Sequence, residues 1–145
     1  MPATGDVYSL SSHEHLTVTT LTDDLLEVDV VWDPSDEPRQ PLAHRHPNQD
    51  EHFVIHEGEL TARIDGVERV LRAGDTLDVP RGTTHAMWST SSGQTRATWQ
   101  VRPALRTAEM WATVTHLRTG GGRMPTPEEG AELLKTYSAE FELVF

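Results

Sequence analysis

The chain has 145 residues, no cysteine, and a formal net charge of −11 from 12 basic against 23 acidic side chains. That length suits one domain with its own core and is short for two. The missing cysteine excludes disulfides and thiolate metal sites, and the acidic balance gives no basic stripe that would track phosphates. No stretch approaches ~18 consecutive apolar residues, and the first ten residues lack the basic and apolar regions of a signal peptide. The expectation is a cytoplasmic protein with neither a nucleic-acid nor a membrane partner.

From Val7 to Val101 the chain reads as short alternating runs separated by turn chemistry. Leu16, Val18 and Thr20 alternate with Thr17, Thr19 and Leu21, and residues 26–32 keep the same period of two. Residues 34–41 hold three prolines and two acids and are predicted to be loop. Runs at 52–55 and 60–64 flank Glu57 and Gly58, which suggests a hairpin. Asp65 and Gly66 are a stronger hairpin signal, leading into 67–71. Ala73 and Gly74 turn the chain into 76–79, and runs at 85–90 and 95–101 close the series around Ser91, Ser92 and Gly93. Many short strands at close spacing argue for a sandwich or barrel. Trp32, Trp88 and Trp99 are core candidates within it.

After Pro103 the period changes. Met110, Trp111, Val114 and Leu117 recur at helical spacing, which predicts a helix over 105–118 ended by Gly120, Gly121 and Gly122. Thr126, Pro127 and Glu129 then spell a capping box with proline at the first helical position. Leu134, Tyr137 and Phe141 supply the apolar stripe. Residues 104–145 are therefore expected to form a helical extension packed on a barrel of residues 1–103, within one domain. The outer wall or a partner subunit is the favoured place for its stripe, and the barrel mouth the alternative.

Four residues have metal-ligand chemistry and spacing. On a strand, His44 and His46 point to one face about 6.6 Å apart at Cα. Residues 47–50 are turn-prone, so Glu51 can open the next strand beside them, and a proline-glycine turn at Pro80 and Gly82 delivers His85 at the start of another. Three imidazoles and one carboxylate make a site that leaves coordination positions open. The other histidines read differently. His13 and His15 bracket Glu14, but Thr20 stands where a matching glutamate would fall, so these three are assigned to an N-terminal strand or the surface. His52 and His56 alternate away from Glu51 and lie about 13 Å apart on a strand. His116 falls near the end of a predicted helix, where an imidazolium suits the dipole. Phe53 and Ile55 share parity with Glu51, and Met87 with His85, so all three are expected inside.

Here the sequence resembles the cupin superfamily in its small single-domain form. His44, His46, Glu51 and Gly58 match the first cupin motif over residues 38–58. Gly74, Pro80, Gly82 and His85 match the second over 74–89. Pro38 replaces the first motif's glycine and Ser89 the second's final asparagine, neither at a ligand position. The resemblance implies an all-β fold, a cupin-type jelly-roll β-barrel with a short C-terminal helical appendage. It also implies one divalent transition metal (Fe, Mn, Zn, Ni, Co or Cu) held by His44, His46, Glu51 and His85 in the barrel mouth. Small cupins are commonly homodimers, and one is expected here.

The function expected is that of a metal-dependent enzyme acting on a small organic substrate, with dioxygenase-type chemistry favoured. Glu51 would balance charge and accept a proton on releasing the metal. The alternatives are a cupin isomerase or cyclase, or a non-catalytic cupin that binds a small ligand or serves as structure. No phosphate-binding glycine loop or nucleophile elbow competes with these readings.

Overall fold

A computed structural model describes residues 2–34, 43–89, 93–121 and 126–144. Pro38, most of the proline-rich loop, Ser91, Ser92 and Gly122 lie outside the described residues. Ten strands come first: β1 (Val7–Ser9), β2 (Glu14–Leu21), β3 (Leu26–Trp32), β4 (His44–Arg45), β5 (Asp50–Glu57), β6 (Glu59–Ile64), β7 (Val67–Arg72), β8 (Thr76–Val79), β9 (His85–Ser89) and β10 (Thr95–Arg102). Two helices, α1 (Thr107–Gly121) and α2 (Pro127–Thr136), and a last strand, β11 (Glu142–Leu143), follow. Among the described residues no helix is long and apolar enough to cross a membrane.

The strands form a six-stranded sheet in the order β1-β2-β3-β10-β5-β8 and a five-stranded sheet in the order β11-β4-β9-β6-β7. Among the described residues every strand pairing is antiparallel. This is the two-sheet arrangement expected from the alternation, in the jelly-roll form that the resemblance implies. Period-two patterning becomes burial: on β3 Leu26, Val28, Val30 and Trp32 are buried while Glu27, Asp29 and Val31 are less so. Leu16, Val18, Phe53, Ile55, Leu77 and Val79 meet them from the same sheet, with Leu60, Ala62 and Leu71 facing from the other. Burying each such side chain is worth about 1.5–3 kcal/mol relative to leaving it exposed.

Asp65 and Gly66 join β6 to β7 in a two-residue hairpin with Ile64 opposite Val67, both turn residues having positive φ as the twist of the strands requires. Glu57 and Gly58 do not make a hairpin. β5 pairs with β10 and β8, whereas β6 pairs with β7 and β9, so Gly58 is a corner where the chain changes sheets. Its φ is +78°, and a Cβ there would lie 2.6 Å from Thr95 Oγ1 and 2.7 Å from the Gln94 carbonyl oxygen. The sequence marks a turn at this point, but only long-range pairing decides which strands it joins.

The tail departs further from expectation. Leu105 lies outside α1, with a φ of +47°, and α1 continues through Gly120 and Gly121 rather than stopping before them. Glycine costs only about 1 kcal/mol in a helix, and α1 is anchored at its other end. There Gln49, 1% exposed, donates from Nε2 to the carbonyls of Pro103 and Ala104 and to Thr107 Oγ1. The α2 capping box is complete: Glu129 N–H donates to Thr126 Oγ1, and Thr126 N–H to Glu129 Oε1. Tyr137 caps α2, so Phe141 lies beyond the helix, in the segment that leads into β11. β11 then pairs with β4, placing Leu143 opposite His44.

Candidate metal centre

Three strands and one turn deliver the four residues. His44 sits on β4 opposite His85 on β9, and His46 follows β4 directly. Glu51 is the second residue of β5, on the inward parity it shares with Phe53 and Ile55. The turn before His85 carries Gly82, whose N–H donates to the His46 carbonyl, so the two motifs are tied together by backbone. The nitrogens that His44, His46 and His85 can offer lie within 4.8 Å of one another. Glu51 Oε1 lies 3.1 Å from His46 Nε2 and 2.9 Å from His85 Nε2.

Tautomers follow from the surroundings. His46 Nδ1 is 2.8 Å from the Glu140 carbonyl oxygen and His85 Nδ1 is 2.9 Å from that of Thr83. A carbonyl can only accept, so both Nδ1 atoms carry the proton, and in the neutral rings both Nε2 atoms present lone pairs to the centre. The facing Glu51 oxygen is an acceptor as well. Among the described residues, His46 Nε2, Glu51 Oε1 and His85 Nε2 are all buried without a hydrogen-bond partner. Three converging acceptors in a buried site repel one another unless a cation lies among them, so the residues present fit a bound metal ion. The only other remedy is a proton. Burial works against charge on His46, but Glu51 and the Glu140 carbonyl raise its pKa. Burial likewise opposes the Glu51 carboxylate, yet His46 and His85 hold it well below the usual range. Glu51 Oε2 accepts from Trp99 Nε1 at 2.7 Å, which orients the carboxylate.

A cavity of about 520 Å³ opens from this cluster, lined by Met87, Trp99 and Val101 of the barrel and by Met110, Trp111, Val114, Leu133, Leu134 and Phe141 of the tail. The Trp99 and Trp111 rings are 4.9 Å apart, and Phe141 stacks on His44 at 4.8 Å. The apolar stripe of the tail is thus turned toward the barrel mouth, not toward the outer wall or a partner subunit, the two places favoured from sequence. The mouth offers it a concave apolar surface on the same chain.

The remaining candidates fall elsewhere. His52 and His56 face away, bonded to Asp78 and to Thr98. His15 contacts Ser9 Oγ and Asp33. Arg45 pairs with Glu142, and Arg81 with Asp50. Trp88 is buried beneath the Arg63 guanidinium, but Trp32 and Trp99 line the cavity rather than serving only as core. Glu14 lies on an N-terminal strand, one of the two places the sequence allows it, and is also a lining residue of the cavity. Its Oε2 accepts from Trp32 Nε1 at 3.1 Å, and burial pushes its carboxyl up to about 7 against the lowering effect of that bond. The signal was its parity: Glu14 continues inward the alternation of Leu16 and Val18.

Comparison with known proteins bears on the fold and the family. The model of the cupin domain family matches residues 30–101, about half of the chain. A 49-residue segment is 45% identical to oxidoreductase iacF of Pestalotiopsis fici, covering 33% of this chain and 24% of that protein, so the chain spans only a minor part of this relative. The structure resembles KdgF from a Halomonas species with a TM-score of 0.60 at 20% identity, over 68% of this chain and 86% of that one. It also resembles an RmlC-like cupin from Shewanella frigidimarina with a TM-score of 0.58 at 21% identity, over 70% and 86%. At such identities the two structures speak for the fold alone. With both motifs, the two-sheet barrel and the family match in agreement, the chain belongs to the cupin superfamily.

Proposed function

We propose that the protein is a metal-dependent oxidoreductase of the dioxygenase type, acting on a small, mainly apolar organic substrate. The observation that carries this reading is the trio of buried acceptors at His46 Nε2, Glu51 Oε1 and His85 Nε2, which have no hydrogen-bond partner among the described residues and open onto an apolar cavity. The name of the fungal relative, an oxidoreductase, supports the reaction class. His44, His46, His85 and Glu51 would hold the ion. A divalent transition metal bound there supplies Lewis-acid chemistry and, for iron, manganese or copper, electron transfer.

The chain's own residues have separate tasks. Trp99 and Trp111 hold the apolar body of the substrate, and α1 excludes water from the cavity, which strengthens electrostatic interactions inside it. Glu51 is the group that can take up a proton at Oε1, while Trp99 retains Oε2. The test is to load metal-free protein with iron(II), manganese(II) or zinc(II) and to follow oxygen uptake against a panel of small aromatic and aliphatic substrates. Uptake with a redox-active ion and none with zinc is expected. Substrate turnover that is equally fast with zinc would instead indicate an isomerase or cyclase. Ligand binding without turnover under every metal would indicate a binding protein.

A further inference from the structure

The cavity has a second polar point that the metal centre does not use. Glu14 opens β2 directly opposite Trp32 on β3, and both line the cavity. β2 is separated from the Glu51 strand by β3 and β10 in the sheet, and Glu14 is not part of the histidine cluster. Trp32 Nε1 can only donate, so it fixes Glu14 Oε2 as an acceptor. Among the described residues Trp32 is the one hydrogen-bond partner of this carboxylate.

Among the described residues no cation balances it. Among the described residues the cavity is lined by no lysine or arginine. His15, next in sequence, points to Ser9 and Asp33, and Arg118 of α1 donates to the Ser9 carbonyl. Leu10, whose N–H donates to the Glu14 carbonyl, adds another apolar wall. A carboxylate facing an apolar cavity without a counter-charge is expensive unless a ligand completes it.

We propose that Glu14 is the specificity-determining contact of this cavity, accepting a hydrogen bond from a protonated amine on a substrate whose other end lies toward the histidines. An ammonium satisfies the second carboxylate oxygen with a charge-assisted bond, and the Trp32 indole beside it offers a ring face that attracts cations. The net charge of −11 draws a cation toward the protein in the first place. The raised pKa of Glu14 is what an apolar site without a bound cation produces, and an ammonium would restore the ionised form. This inference rests on reading the cavity as the substrate site.

The test measures binding by calorimetry to the full-length protein loaded with zinc(II), using 2-phenylethylamine and its uncharged counterpart 2-phenylethanol. The amine is expected to bind roughly tenfold or more tightly than the alcohol, and Glu14→Gln to remove that preference while leaving alcohol affinity within about twofold. The amide keeps the size of the side chain and can still accept from Trp32, and zinc content is determined for each variant. Equal affinity for amine and alcohol in the wild type would overturn the proposal. So would an amine preference that survives Glu14→Gln but is lost in Glu51→Gln, which would place the amine on the metal centre. Failure of the wider reading shows separately, as zinc that does not bind or as neither probe binding.

Discussion

The backbone carbonyl of Glu140 accepts the Nδ1 proton of His46 at 2.8 Å, so a residue beyond the last helix fixes the tautomer of a candidate metal ligand in the first motif. Phe141, next in the chain, stacks on His44, and Asn48 Nδ2 donates to the Ala139 carbonyl. The tail and the candidate centre are tied together by these contacts, so the affinity of the centre for a metal ion is expected to depend on residues 139–143.

A chain ending at Ser138 should therefore bind divalent metal more weakly by about 10–100-fold, the usual cost of removing an outer-shell partner. Competition against a chromogenic chelator measures this. Phe141→Ala keeps the Glu140 carbonyl and should cost much less. A truncated chain that stays folded with unchanged affinity would show that the His46 tautomer needs no help from the tail.

The ligand set can be separated from the other histidines by stoichiometry. His85→Ala should lose most bound metal while the β-sheet circular dichroism is kept. His52→Ala and His56→Ala should retain full occupancy, because their rings face Asp78 and Thr98 on the opposite side of the sheet. Equal depletion by His52→Ala and His85→Ala would contradict the parity of β5.

What could be read in advance was whatever local periodicity or fixed spacing encodes. The alternation of β3 and the Asp65–Gly66 hairpin are such features, and so is the convergence of His44 and His46 with Glu51 and His85, because strand parity and short turns set it. The docking of the tail is not encoded locally. The stripe of Met110, Trp111 and Val114 says that one face must be buried but not against what, and the two residues of β11 have no period at all. Corner or hairpin at Gly58 is likewise a question of distant pairing. Glu14 is a different case. Its inward parity with Leu16 and Val18 is visible in the sequence, but Thr20 in place of a second glutamate speaks only against a second metal motif and not to what the Glu14 side chain faces.

Acid acts on the metal-loaded and metal-free forms in different ways. Imidazoles bind metal only when neutral, so occupancy should fall as pH drops below roughly 6. In metal-free protein the His46–Glu51 ion pair replaces the metal. The Glu51 pKa is lowered, so its contribution to stability is present above the ordinary carboxylate range and lost as pH falls through its folded value. The His46 pKa is raised, so its contribution is full below about 6.5 and lost as pH rises through its folded value. The pair therefore stabilises metal-free protein most between about pH 4.5 and 6.5. Near pH 5.5 Glu51→Gln should be less stable than wild type by on the order of 3 kcal/mol. Near pH 8 the gap should close, because an amide can donate to a neutral imidazole whereas a carboxylate cannot. Denaturant melts of chelator-treated protein at the two pH values check this, and a gap that widens at pH 8 would reverse the assignment.

Gln49 offers a test of how α1 is held. Its Nε2 reaches two consecutive carbonyls, Pro103 and Ala104, and Thr107 Oγ1, while its Oε1 accepts from the Thr107 hydroxyl. One buried amide therefore satisfies the turn that launches α1 and fixes where Trp111 meets Trp99. Gln49→Leu preserves the approximate volume but leaves these groups buried and unpaired, at about 1–3 kcal/mol for each unsatisfied group. Part of that is recovered if the turn shifts toward water. The melting temperature should drop by roughly 6–15 °C, at about 2–4 °C per kcal/mol lost. The near-ultraviolet circular dichroism of the Trp99–Trp111 pair should weaken well below that temperature, because the helix start loosens before the barrel unfolds. Thr107→Val removes only the hydroxyl and should fall between the variant and wild type. A Gln49→Leu protein that melts with the wild type and keeps its tryptophan signal would mean that packing of the apolar stripe alone holds α1 over the mouth.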